Sequence, residues 1–191
     1  MNRKVVDIII IPPEKILKLC IEKNNADFEN NLVPVQFSEK DFIPHLSLFM
    51  GVMSPSEESL IFQKLEKITE EFSKIHLSIS HIKNNWMFIN NTPELNSLQT
   101  KIAKNIELYV SHDAISTDFF LDENEEISPD CYPWVNNFFT DYSFEKFSPH
   151  ITTWTQTPFE CPLPLSFQAD QIALCHVGRF NTCRNILWKS K

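Results

Sequence analysis

Two six-residue stretches carry the same chemical types in the same order. Phe42-Ile43-Pro44-His45-Leu46-Ser47 and Phe147-Ser148-Pro149-His150-Ile151-Thr152 each read aromatic, any residue, proline, histidine, aliphatic, hydroxyl. An imidazole with its ordinary pKa of about 6.5 serves near neutrality either as a neutral base or as a protonated acid. Two of them therefore supply both ends of a proton-transfer pair. Proline suits the first residue of a strand, where no ladder donor is needed. Side chains two apart on a strand share a face, so His45 with Ser47 and His150 with Thr152 each set an imidazole beside a hydroxyl, while Leu46 and Ile151 turn toward the core. His76-Leu77-Ser78 repeats the spacing without the proline or the aromatic, inside an alternating apolar stretch, and reads as structural. His81, His112 and His176 have no hydroxyl at that distance.

The elements that must position these residues are legible as patterns. Val5–Ile11 reads as a buried strand, and Pro13 opens a helix to about Lys23, followed by a polar Asn-rich stretch from Asn24 to Asn31. His45–Val52 is strand-like, and Ser54-Pro55 starts a helix in which Leu60, Ile61, Leu65, Ile68 and Phe72 keep helical spacing. Ile75, Leu77, Ile79 and Ile82 suggest a strand, hairpinned through Lys83-Asn84-Asn85 to Trp86–Ile89. Thr92-Pro93 opens a second amphipathic helix with Leu95, Leu98, Ile102, Ile106 and Tyr109 on one side. Asp118 to Asp130 reads as a solvated acidic loop or lid. Strands return at Ile151–Thr155, Phe167–Val177 and Thr182–Trp188. The order is mixed α+β, with no linker and no short repeat.

Composition narrows the functional classes. The 191 residues fit one ordinary domain or two small lobes, and sixteen Phe with four Trp provide for a packed interior. Only Gly51 and Gly178 are glycines, which excludes P-loops and dinucleotide fingerprints that need a glycine-rich phosphate cradle. A formal charge of -8 argues against a surface that tracks extended nucleic acid. Asp122-Glu123-Asn124 opens like a calcium loop, but Ile127 and Pro133 stand where that loop needs glycine and glutamate. Five scattered cysteines without a C-x-x-C pair read as reduced thiols of a cytoplasmic protein. The apolar N-terminal run is too short to span a membrane.

The two motifs, His45-Leu46-Ser47 and His150-Ile151-Thr152, resemble those of the 2H phosphoesterase superfamily, which includes RNA 2',5'-ligase-like proteins and 2',3'-cyclic phosphodiesterases. The likeness extends in outline to the opening strand and Pro-initiated helix, the strand-helix unit after the first motif, and Trp86–Ile89 ahead of the Leu95–Ile106 helix. The resemblance implies two pseudo-symmetric lobes of antiparallel sheet with outer helices around a central cleft, spanning residues 1–191. It further implies metal-independent hydrolysis of cyclic phosphodiesters without a cofactor. His45 and His150 would be the acid/base pair, with Ser47 and Thr152 donating to phosphate oxygens. The alternatives are 2',5'-ligation or other processing of RNA ends, and a non-catalytic nucleotide- or RNA-binding protein. The expected partner is a nucleotide or RNA end bound by a monomer, with neither extended nucleic acid nor membrane involved.

On regular strands, Phe49 and Trp154 would share the face of the motif histidines and contact substrate. Tyr142 and Trp86 are further candidates for a nucleobase, and Arg179 or Arg184 for phosphate. The competing readings are core packing for the aromatics and solvated charge for the arginines.

Overall fold

In the computed structural model, which describes residues 2–72, 74–158 and 161–190, the chain order begins with strand β1 (Lys4–Ile11) and helix α1 (Glu14–Glu29). Strand β2 (Leu46–Met53), helix α2 (Glu58–Glu71), strands β3 (Ile75–Lys83) and β4 (Trp86–Ile89), and helix α3 (Pro93–Ile106) follow. Next come the short β5 (Val110–Ser111) and the small helices α4 (Cys131–Asn136) and α5 (Phe138–Asp141). The chain closes with strands β6 (His150–Thr152), β7 (Leu165–Ala169), β8 (Gln171–Val177) and β9 (Cys183–Lys189).

The strands join edge to edge in the order β7-β3-β4-β6-β2-β1-β8-β9, with β5 added to β2, and their pairings are antiparallel. One half of the sheet is β7, β3, β4 and β6; the other is β2, β1, β8 and β9. They meet where β2 pairs with β6, so each half contributes one histidine motif at the seam. The result is a curled α+β sheet with helices against it, as the motif resemblance implied. Every residue of β1 after Lys4 is buried, which fits a strand flanked on both edges and covered on both faces.

Local chemistry accounts for most element boundaries. Thr92 caps α3, its hydroxyl accepting from the Leu95 N–H at 3.2 Å, with Pro93 at the first helical position. The β3–β4 hairpin turns through Asn84 and Asn85, both at positive φ, as a tight hairpin turn requires. In α3, Leu95, Leu98, Ile102 and Ile106 are buried at helical spacing.

Four expectations are corrected. The first helix does not stop near Lys23 but continues to Glu29, because Asn24 and Asp27 are buried anchors and not a solvated stretch. The Asn24 side-chain NH₂ donates to the Val35 and Trp154 carbonyls at 3.2 and 2.9 Å, and its oxygen accepts from the Phe37 N–H at 2.7 Å. Asp27 accepts from the Gln156 and Thr157 N–H groups and from the Thr157 hydroxyl. Phe167–Val177 is two strands broken at Asp170, since β7 pairs with β3 on one side of the molecule and β8 with β1 on the other. The strand after the second motif ends at Thr152, with Trp154 in the left-handed region at φ 44°. The acidic loop is exposed over most of residues 121–130, as expected, but is fastened and not free: Arg184 donates to Asp122, Glu125 and Asp41, and lies over the Phe42 ring at 4.1 Å.

Candidate active site

The two motif strands are neighbours, and the partner of Leu46 across the ladder is Ile151. In an antiparallel pair this register sets His45 opposite Thr152 and Ser47 opposite His150. Each imidazole thereby faces the hydroxyl of the other motif. Leu46 and Ile151 are buried on the far face, as the alternation predicts. His45, Ser47, His150 and Thr152 all line one cleft of about 510 Å³, within the range of small-molecule sites.

The matching hexapeptides produce matching ring geometry. His45 Nδ1 lies 2.7 Å from the carbonyl of Ile43, and His150 Nδ1 lies 2.8 Å from that of Ser148, two residues earlier in both cases. A carbonyl only accepts, so each Nδ1 carries a proton and Nε2 is the ring nitrogen whose proton can be exchanged.

The surroundings of the two rings differ. His45 Nε2 stands 3.4 Å from Asp7 Oδ2, and the same oxygen accepts the Ser47 hydroxyl at 2.6 Å. Burial acts to lower the His45 pKa, but the hydrogen bond and charge of Asp7 outweigh it and push the imidazole up to about 9. Burial holds the Asp7 carboxyl above the usual range, with His45 and Ser47 opposing. Among the described residues no carboxylate acts on His150. The Trp86 ring stacks on it at 4.3 Å, and burial, aided by the charge of His45, keeps its pKa below the ordinary value against the Ser148 carbonyl.

Aromatic side chains form much of the remaining wall. Trp134 and Tyr142 stack at 4.1 Å, and Trp154 meets Phe180 at 5.1 Å, with Phe37, Phe138 and Phe147 also in the lining. Trp154, Phe180 and Asn181 hold φ of 44°, 59° and 54°. For Trp and Phe that region is strained, and such strain concentrates where a side chain must be held at a site. Among the described residues of the lining Lys146 is the one lysine or arginine; its ammonium donates to the Thr140 carbonyl and pairs with Asp141 at 3.2 Å.

The sequence candidates divide accordingly. Trp154, Tyr142 and Trp86 line the cleft with the motif residues, but Phe49 does not. Across Ile8 and Ile9 of β1, β2 advances from Phe49 to Ser47, so Leu48 is an extra residue that shifts the alternation by one. Met50 then faces the cleft, and Phe49, 1% exposed, packs against Phe138 and Phe139. Arg179 stands outside the lining, over the Phe180 ring and 3.8 Å from Glu125. Arg184 is committed to three carboxylates. Neither arginine is among the residues that line the cleft.

Sequence reasoning missed Phe37, Met50, Trp134, Lys146 and Phe180 in the lining, and Asp7 beneath it. Only Asp7 left a signal, as the one charge inside an otherwise apolar strand. Among the described residues there is no group of three or more His, Cys, Asp and Glu that could hold a metal ion, and no helix is long and apolar enough to cross a membrane.

Solved structures share this fold. E. coli LigT in complex with NADP+ superposes with a TM-score of 0.57 at 14% identity, over 100% of this chain and 98% of that one. The apo form of E. coli LigT gives 0.55 at 15% identity over 99% and 97%. TT0787 of Thermus thermophilus gives 0.52 at 12% identity over 97% and 96%. No protein-family model matches the sequence, and no curated protein does.

Proposed function

We propose that this chain is a phosphodiesterase that opens 2',3'-cyclic nucleotide or RNA-end cyclic phosphates by two-histidine acid/base catalysis. The observation that carries this reading is the pair of imidazoles at the β2–β6 seam. Each has its Nδ1 occupied by a carbonyl of its own motif, in one cleft, and the rings differ at Nε2, where His45 alone stands 3.4 Å from the buried Asp7 carboxylate. Hydrolysis at phosphorus needs a base on the attacking water and, on the opposite side, an acid on the leaving oxygen. Two histidines held in different protonation states meet that need near neutrality. The Thr152 hydroxyl, facing the cleft, is placed to donate to a non-bridging oxygen and to stabilise charge gathered there.

The walls favour a small substrate carrying a base. Stacked aromatic rings suit a nucleobase, and a lining with a single lysine suits one phosphodiester better than a run of phosphates. The fold is shared with E. coli LigT, solved with phosphate and with 3'-AMP, and with a structure described as a phosphoesterase. Those complexes belong to those proteins and agree with the proposed substrate class.

The test is hydrolysis of a panel of 2',3'-cyclic nucleotides in the presence of chelator, with wild type beside the His45→Ala, His150→Ala double variant. Turnover by wild type alone supports the proposal. Failure on the whole panel, with turnover of RNA ends bearing a cyclic phosphate, moves the substrate to RNA ends. Failure on both, from folded protein, overturns the enzymatic reading in favour of a binding protein.

A further inference from the structure

Asp7 lies in the middle of β1, an inner strand of the sheet, 0% exposed, in a segment otherwise made of Val and Ile after Lys4. An unpaired carboxylate there costs several kcal/mol, so its partners should be informative. Its register partners are Met50 on β2 and Cys175 on β8. Oδ2 meets the Ser47 hydroxyl and His45 Nε2, and Oδ1 has no hydrogen-bond partner among the described residues. The other ionisable groups around the pair are Cys175, whose thiol burial pushes well up, Cys183 of β9 near His45, and His150 across the cleft. Asp7 contributes nothing to the cleft lining. It touches both side chains of the first motif from below, whereas His150 of the second motif has the Trp86 ring stacked on it.

We propose that Asp7 is a positioning residue that makes two histidines of matching sequence context unequal, holding His45 as the imidazolium so that His45 is the general acid and His150 the general base. This rests on the hydrolase reading above. The water proton passes to His150 Nε2 as the water oxygen bonds to phosphorus. The bond to the leaving oxygen breaks, and that oxygen takes the proton from His45 Nε2. One water is consumed per monoester formed, and proton exchange with solvent restores both rings. Ser47, whose proton is given to Asp7, fixes the carboxylate that holds the acid; the paired Thr152 hydroxyl keeps the role of phosphate donor.

The support from protonation equilibria agrees with the contacts: His45 is raised by Asp7, and His150 is lowered by burial and by the charge of His45. Asp7→Asn keeps the shape and removes the charge. Two readouts separate the claim from the reading on which it rests. The first is imidazole titration by NMR. In wild type His45 should titrate well above His150; in Asp7→Asn its midpoint should fall by more than about one pH unit, while His150 moves little. The second is the pH profile of kcat/KM, whose basic limb should move down with the His45 midpoint and whose acid limb should stay. Ser47→Ala removes one donor to Asp7 and keeps the charge, so the His45 midpoint should stay above that of His150. A His45 midpoint unchanged by Asp7→Asn, or a wild-type midpoint at or below that of His150, overturns the coupling. The wild-type titration decides this even if the variant does not fold. A displaced midpoint with an unmoved basic limb overturns the acid role. Absence of turnover in wild type overturns the hydrolase reading and the acid role with it, while the titration still decides whether Asp7 holds the His45 proton.

Discussion

The duplicated motif makes its claims at single residues. His45→Ala and His150→Ala should each lower kcat by about 10²–10⁴-fold, the usual worth of a general acid or base, with unfolding midpoints near wild type. His76 is exposed on β3 and lies outside the cleft lining, so His76→Ala should leave turnover within about twofold of wild type. Comparable loss at His76 in steady-state assays would place the site elsewhere. The pH dependence follows in sign from the two environments. The base must be neutral, so activity falls as pH drops through the His150 value, below the ordinary 6.5. The acid must be protonated, so activity falls as pH rises through about 9, where His45 gives up its proton. A plateau between those limits is the expected kcat/KM profile.

At the scale of elements, the notable device is the use of buried polar residues to hold cleft-lining loops. Asn24 on α1 ties Val35, Phe37 and Trp154 together, and two of those three line the cleft. Asn24→Ala leaves a buried N–H and carbonyl groups without partners, a loss of about 2–4 kcal/mol. The expected result is a lower denaturant midpoint together with a raised KM, because Phe37 and Trp154 lose their anchor. Gly51 is constrained by space: an added Cβ would stand 2.7 Å from Val110 Cγ2, across the β2–β5 contact. Gly51→Ala should cost about 1–3 kcal/mol in chemical denaturation, and Val110→Ala in the same chain should recover part of it. Asn24 reads as loop chemistry in the sequence, because its helical state is stabilised by partners 11 to 130 residues away. The Leu48 bulge is equally silent, since nothing in Leu46–Met53 distinguishes a regular strand from one that gains a residue against its neighbour.

Across the whole molecule, the acidic segment after Asp118 is bound to the last strand and to the loop before the first motif. Arg184, its side chain 2% exposed, gathers Asp41, Asp122 and Glu125. Arg184→Met should destabilise by about 1–3 kcal/mol, less than a fully buried pair because Asp41 and Asp122 remain partly solvated. Limited proteolysis should then cut faster between residues 121 and 130.

The sequence by itself determined the α+β class, the strands at both motifs, the outward turn of the imidazoles and hydroxyls, and the candidate acid/base pair. Those follow from local rules: period-two alternation, proline placement and a repeated spacing. Tertiary structure alone decided which strands became neighbours, that Leu46 meets Ile151, that Phe49 turns inward and Met50 outward, and that Arg184 anchors a loop. It also placed Asp7 beneath one histidine and Trp86 against the other. Each depends on contacts between residues far apart in the chain, and local pattern carries no information about the partner a side chain will meet.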